Sequence, residues 1–502
     1  MKNLILIPNS INSPEFEILL SKSQEILDKK IELTILTCSG RKNSACHLNP
    51  FSDRIICKIC KNQKKQAFRK LKGKFKIIEV TPHRYFSLSK IKKLITNYQN
   101  LRNLNINNID IGLASFASYI SITRDLKLEG FLAARSICNI LNLSYSFYYE
   151  AIDLDKKKKF KNLICFNARM GIQRPIFRYF EKTKRSLVLE YAGARLIARE
   201  NGIFEFNNHL PTDRLKMHKL ILKTWTNRNK SDQKYIDQFF KFKKKGAVLN
   251  DKKAYVRDQG FKILPYNWNK NSRNIVIFSS SDDEYTTLGN DYDKSIYPSQ
   301  TDGILKIVED FKKLKLENTK LWIRIHPNVA GIFWNYGKKI KKVQLNPDIN
   351  IILPKSKVST YEMLDKCDLS ICFASVVAVE AVFWKKPSVV LSKRIYDQLP
   401  DFYTPKSHKE VMKIISNHNI KPKKQLSALK YANFWTNNGK KLKYFQCGAD
   451  YFLFNNKKIK NNFIYNAMYK LFKFKQVYFD NYIKNYLFSF LIKYIFSILK
   501  KY

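Results

Sequence analysis

An α/β fold of two doubly wound domains facing a cleft, followed by a basic, aromatic-rich helical tail, is what this sequence predicts. Three observations carry that expectation. Short apolar runs alternate with amphipathic stretches through the first 200 residues, and the same rhythm restarts near residue 271; parallel strands joined by helices read this way. A Lys-, Asn- and aromatic-rich stretch of helical period lies between them and shows no strong strand. The last segment changes character, with lysines interleaved among aromatic and aliphatic residues. The expected domains are therefore 1–200, connecting helices over 201–270, a second domain over 271–425, and closing helices with the tail over 426–502.

In the first domain, Leu4–Ile7 is a buried strand and Glu15–Lys29 a helix. Ile31–Leu36 and Lys76–Val80 are strands, and Phe131–Leu141 is a helix. Leu163–Phe166 and Leu187–Leu189 are short strands around a helix at Pro175–Lys182. In the second, Asn274–Phe278 is a strand ending in Ser279-Ser280-Ser281. Thr301–Leu314 is a helix, and Lys320–Ile325 a strand running into His326-Pro327. Ile349–Leu353, Leu369–Phe373 and Ser388–Leu391 are strands, separated by helices at Thr360–Lys366 and Val376–Trp384.

The 502 residues hold 92 Lys+Arg against 41 Asp+Glu, a net charge of +51. Only 19 of the basic residues are Arg, whereas reading phosphate and guanine favours the planar fork of Arg. Abundant Lys, Asn and Ile together point to the drift of an AT-rich genome, and no specific nucleic-acid partner is expected. The informative charge is local. Residues 457–502 contain ten Lys, one acid (Asp480) and no Arg. No apolar run there is long enough to span a bilayer. A basic amphipathic helix can lie in the interface of an anionic membrane, with each Lys adding about 1 kcal/mol.

Nine Cys is too few for a disulfide scaffold of this length. The opening apolar run ends at Pro8, short of a signal peptide. A cytoplasmic chain with reduced thiols, peripherally associated with the inner face of the cell membrane, is expected. Cys38, Cys46, Cys57 and Cys60 cluster at C-x7-C-x10-C-x2-C. A C-x2-C knuckle can present two thiolates to one structural Zn; buried small hydrophobes or a labile disulfide pair are the competing readings.

Ligands of open α/β sheets bind beyond the carboxyl ends of the strands. The second domain places Ser279, Ser280 and Glu284 after its first strand and His326 and Asn328 after its second. Ser359, Thr360 and Glu362 open one helix, Ser375 opens the next, and Glu380 lies on it. Hydroxyls and amides there can hold a diphosphate, His326 can bind or protonate a phosphate, and a glutamate can accept ribose hydroxyls. Each Ser or Thr taken alone is an ordinary helix cap. Asp291-Tyr292-Asp293 matches a metal-holding D-x-D, a triplet common by chance, and no metal or other cofactor is expected to be required for catalysis.

The segments Leu321–Asn328, Val358–Leu364, Cys367–Ser370, Ser375–Ala381 and Lys386-Pro387 resemble the nucleotide-sugar domain of GT-B glycosyltransferases, with their two Rossmann-like domains. Within these they are most similar to bacterial capsule and surface-polysaccharide biosynthesis proteins. Cys38 to Cys60, Phe166–Met170 and Glu190 resemble the acceptor-side domain of the same proteins. Lys385 stands where the family has a Gly, and Asn167-Ala168-Arg169 replaces an Asn-Gly-Arg-like triplet. The resemblance implies transfer of a sugar from a nucleotide-sugar to a lipid-linked or polymeric glycan. His326, Ser359, Thr360, Ser375 and Glu380 would face the donor, and Asn167, Arg169 and Glu190 the other side of the cleft. Inverting transfer needs a base, for which Glu190 is the choice; a structural pair with Arg169 or Arg195 is its alternative. A nucleotide-sugar epimerase uses the same two-domain architecture, and a nonenzymatic polyanion binder is a third reading.

Overall fold

The computed structural model describes residues 2–11, 14–123, 128, 130–191, 202–244, 259–281, 286–289, 292, 296–327, 349–447 and 452–459. Two parallel sheets organise the chain. The first contains β1 (Lys2–Leu6), β2 (Glu32–Cys38), β3 (Phe75–Val80), β4 (Asn162–Phe166), β5 (Ser186–Tyr191) and β6 (Ile203–Asn207), in the order β3-β2-β1-β4-β5-β6. β1 to β5 are mutually parallel, and β6 runs antiparallel to β5. The central strand β1 is apolar from Leu4 to Leu6, where helices cover both of its faces. Leu4 and Leu6 join one core, while Ile5 and Ile7 join the other with Phe16, Ile18 and Leu19 from the helix Glu15–Asp28. β3 closes the edge and carries Lys76 and Glu79 there, charges that discourage edge pairing.

The second sheet contains β7 (Arg273–Phe278), β8 (Thr319–Arg324), β9 (Ile349–Ile352), β10 (Leu369–Cys372) and β11 (Ser388–Val390), in the order β11-β10-β7-β8-β9 and parallel throughout. Ile275, Ile277, Leu321 and Ile323 pack on the helix Gln300–Leu314, while Val276, Phe278 and Trp322 face the opposite layer. Trp322 is buried and its indole N–H donates to Asn274 Oδ1 at 2.8 Å, which satisfies the one polar group it brings inside.

Three sequence expectations need correction. The stretch 201–270, expected to hold only helices, contributes β6, so the first sheet extends past residue 200. The Phe131–Leu141 helix is part of a longer one, Gly130–Lys158, and the helices Arg54–Phe68 and Ile111–Thr123 were not expected at all. After the helix Leu426–Asn437 the chain forms a hairpin, β12 (Phe445–Cys447) with β13 (Phe452–Phe454), rather than further helix. Leu442, Phe445 and Phe454 join the core of the first domain, and the Lys443 amide donates to Glu25 Oε1 at 2.7 Å. The chain thus crosses back to the domain where it started. Among the described residues no helix is long and apolar enough to cross a membrane. The tail over 460–502 lies outside the described residues.

Candidate functional site between the two sheets

Each sheet has one place where successive connections leave in opposite directions, and a crevice opens there beyond the strand ends. In the first sheet it lies between β1 and β4, in the second between β7 and β10. The two crevices approach each other. Arg174, in the first turn of the helix Gln173–Lys182 that follows β4, donates from Nη1 to the carbonyl of Thr287, in the loop that follows β7. Arg174 is only 1% exposed and pairs with Asp110 at 2.7 Å. Burial alone would raise the Asp110 carboxyl, but Arg174 and Arg178 hold it below its ordinary range. Tyr292 adds a second stitch, its hydroxyl donating to the Thr212 carbonyl at 2.5 Å. Arg214 and Asp397 form a third at 2.7 Å.

The first crevice is lined with acids and amides. Glu15 and Glu17 open the helix after β1 and are 3% and 2% exposed. Gln173 reaches from across the crevice, its Nε2 donating to Glu15 Oε1 at 3.3 Å. Glu190 ends β5, half-buried, and its Oε2 accepts from Asn167 Nδ2 at 2.6 Å. Asn167 and Ala168 both have left-handed backbones, φ 58° and 55°, so the chain turns sharply out of β4 and presents Asn167 to Glu190. Arg169 follows in the same turn, partly buried. The structure therefore brings Asn167 and Glu190 together as a bonded pair. Glu15, Gln173 and Arg174 were missed by sequence reasoning, because an acid in a first helical turn also reads as a partner of the helix dipole.

The second crevice gathers hydroxyls, a histidine, a buried glutamate and one arginine. Ser279 and Ser280 are buried strand-end clips. Ser279 Oγ accepts from the His326 amide at 2.8 Å, and Ser280 Oγ accepts from the Ala374 amide at 3.1 Å. They tie the ends of β7, β8 and β10 together and so fix where His326, which is partly exposed, stands. Ser359 caps its helix through the Glu362 amide, and Ser375 accepts from the Val377 amide. Glu380 is buried, on the helix Val377–Phe383 close to Cys372. Glu284, Asn328, Asp291 and Asp293 lie outside the described residues.

Arg324 is the feature that sequence reasoning passed over. It ends β8 at 2% exposure. Nε donates to Thr360 Oγ1 at 3.3 Å and Nη1 to the Leu353 carbonyl at 2.5 Å, while Nη2 is buried with no hydrogen-bond partner among the described residues. Burial, with no opposing charge among the described residues to offset it, lowers its pKa to about 10. A buried cation without a counter-ion costs several kcal/mol, on the order of the effective burial penalty for one ion. Its signal in the sequence was only an Arg two residues before the His-Pro.

The four cysteines end beside the first crevice. Cys38 closes β2, Cys46 sits in the following loop, and Cys57 and Cys60 lie one turn apart on the helix Arg54–Phe68 rather than in a knuckle. The Ser10 amide, just past β1, donates to Cys60 Sγ at 3.3 Å, and Asn49 Nδ2 donates to Cys57 Sγ at 3.3 Å. All four thiols are free. Burial first, then Cys38 and Cys60, push the Cys57 thiol up to about 12. Burial and the other three thiols push Cys46 up as well, against a hydrogen bond from the Leu48 backbone. Among the described residues no group of three or more His, Cys, Asp or Glu side chains is drawn into an arrangement that could hold a metal ion.

Two doubly wound domains with their strand ends turned to a common seam form the GT-B architecture. Residues 219–400, which include β7 to β11 and the second crevice, match the model of the capsule polysaccharide biosynthesis protein family. No curated protein matches the sequence. Solved structures of similar fold include the β-Kdo 2,4-transferase of KpsC from Thermosulfurimonas dismutans, at 9% identity and TM-score 0.35, covering 55% of this chain and 80% of that one. The UDP-GlcNAc 2-epimerase of Methanocaldococcus jannaschii, in complex with UDP-GlcNAc and UDP, is similar at 13% identity and TM-score 0.26, covering 87% and 99%. The putative UDP-N-acetylglucosamine 2-epimerase of Listeria monocytogenes is similar at 10% identity and TM-score 0.26, covering 87% and 93%.

Proposed function

We propose that this protein is a glycosyltransferase that moves a sugar from a nucleotide-sugar onto a growing capsular glycan. The observation that carries the reading is the family match over the second domain, joined to Arg324, which has no counter-ion among the described residues, in the crevice of that domain. An anionic diphosphate supplies the charge that the guanidinium lacks. His326, two residues on, then stands beside the phosphates, with Ser359, Thr360 and Ser375 around them. The first crevice offers carboxylates, which suit removal of a proton from an acceptor hydroxyl as it attacks the anomeric carbon. Glu190, held by Asn167, takes that role; the leaving nucleotide departs toward Arg324 and His326. The basic tail holds the protein at an anionic membrane surface, where lipid-linked acceptors are presented.

A thermal-shift panel of nucleotides and nucleotide-sugars, followed by product analysis with the one that stabilises, tests this reading. A donor present at about 100 times its Kd adds about 2.7 kcal/mol of stability. Label appearing in a glycan supports transfer, whereas label recovered as an epimerised free nucleotide-sugar overturns it in favour of an epimerase. Removal of residues 460–502 is expected to release the protein from phosphatidylglycerol vesicles without lowering its Tm; continued co-sedimentation removes the tail from the membrane role.

A further inference from the structure

The residues that follow β3 form an exposed patch that neither crevice uses. His83, Arg84 and Tyr85 are consecutive and exposed, and the loop carrying them is pinned to the helix Gly130–Lys158 at three points. Asn142 Oδ1 accepts from the amides of Tyr85 and Phe86, both at 2.8 Å, and Ser146 Oγ accepts from the His83 amide at 2.9 Å. The loop therefore runs rigidly along one helix face. Tyr145 and Tyr149 share that face, four residues apart. The Tyr85 ring meets Tyr145 edge-on with centroids 4.6 Å apart, and His83 meets Tyr85 at 6.2 Å. Tyr85 is 43% exposed and Tyr149 60%. Burial, then the nearby Tyr145, Tyr149 and Glu150, raise the Tyr85 hydroxyl, and Glu150 follows Tyr149 on the helix, partly buried.

We infer that this patch is a glycan-binding subsite for the acceptor chain, with sugar rings stacked on Tyr85 and Tyr149 and their hydroxyls met by Glu150, His83 and Arg84. A pyranose offers an apolar C–H face and a rim of hydroxyls. Exposed aromatic rings match the first, and a carboxylate, an imidazole and a guanidinium match the second. An isolated exposed tyrosine needs no explanation; several on one hydrogen-bonded loop and one helix face, ringed by such groups, form a built surface. Its position names the ligand. The patch lies at the carboxyl end of β3, the same edge of the sheet on which Asn167 and Glu190 stand. Three strand spacings separate β3 from β4, roughly 14 Å at about 4.8 Å each. A single sugar cannot reach both places, whereas an oligosaccharide can. The subsite rests on the transferase reading only in calling the glycan an acceptor.

The test is direct binding by the full chain, measured by calorimetry and saturation-transfer NMR. The probes are short and long size fractions of the producing strain's own surface polysaccharide after partial hydrolysis. Long fractions are expected to bind wild type at least about tenfold more tightly than short ones, a difference of 1.4 kcal/mol. The paired substitution Tyr85→Ala with Tyr149→Ala removes that advantage and leaves short-fraction binding unchanged. Tyr85→Phe with Tyr149→Phe, which keeps both rings, retains it. An unchanged melting curve of the exposed-site variants shows that they fold. Equal binding of long fractions by wild type and the alanine variant overturns the subsite, as does wild type that binds no fraction. Donor thermal shifts on the same preparations separate the two ideas: glycan binding with no nucleotide-sugar binding refutes the transferase reading and leaves the subsite standing.

Discussion

The two crevices have the same topology and different side chains. The one after β1 and β4 gathers Glu15, Glu17 and Glu190 with Asn167, Gln173, Arg169 and Arg174, whereas the one after β7 and β10 gathers Arg324, His326 and the buried Glu380 among serines and a threonine. A doubly wound sheet fixes only where a ligand goes. The side chains at the strand ends fix its charge. Carboxylates suit proton removal, and a guanidinium attracts phosphates. On the reading proposed above, acceptor chemistry belongs to the first domain and donor binding to the second.

The largest expected effect that could break this division comes from the base. Glu190→Gln keeps the hydrogen bond to Asn167 but cannot take a proton, so turnover is expected to fall about 10²–10⁴-fold with donor affinity unchanged. Glu15→Gln measured beside it decides between the two carboxylates: if only the Glu15 variant is slow, Glu15 is the base. Next comes the donor side. Arg324→Met removes a buried cation that has no counter-ion among the described residues, so donor affinity should drop about 30-fold or more, while Tm, read by calorimetry, should rise rather than fall. A drop in Tm with intact donor binding makes Arg324 a purely structural residue.

A smaller effect concerns the seam between the domains. Burial lowers the pKa of both His209 and His218, so the folded protein disfavours their charged forms. The unfolded chain then binds more protons in the window between the lowered values and about 6.5. Stability is full above about 6.5 and is lost as the pH falls through that window. Tm is expected to be lower at pH 5.5 than at pH 7.5, and His209→Asn should reduce the difference. The smallest effect lies in the backbone. Lys385 adopts φ 56°, left-handed, at the position where the sequence resemblance expects glycine. Lys385→Gly relieves about 1 kcal/mol of strain and loses part of that to greater freedom in the unfolded chain, for a net gain of about half a kcal/mol in denaturant unfolding.

Most of the strands were legible because a parallel strand covered on both faces must be apolar along its length, as in Leu4–Ile7 or Asn274–Phe278. β6 was not. Ile203–Asn207 is a short run beside a stretch of helical period, and it becomes a strand only because β5 offers it an open edge. The site divides in the same way. His326, Asn167 and Glu190 stand at strand ends and were found there. Ser279 and Ser280 were placed correctly along the chain, but their hydroxyls serve the His326 and Ala374 amides, which strand order alone brings near. Both departures from the family pattern, Ala168 and Lys385, fall on left-handed backbone, so the glycine preference was readable even where the glycine is missing. Arg324, Gln173 and Arg174 act through partners far away in the sequence, and no local pattern marks them.

Crossed titrations of donor and acceptor against wild type, Arg324→Met and Glu190→Gln address the division of labour most directly. Separate roles require that Arg324→Met lose the nucleotide-sugar and keep the oligosaccharide, while Glu190→Gln binds both ligands as wild type does and yet fails to turn over. Loss of nucleotide-sugar binding in Glu190→Gln, or its full retention in Arg324→Met, would contradict the assignment of donor and acceptor to opposite crevices.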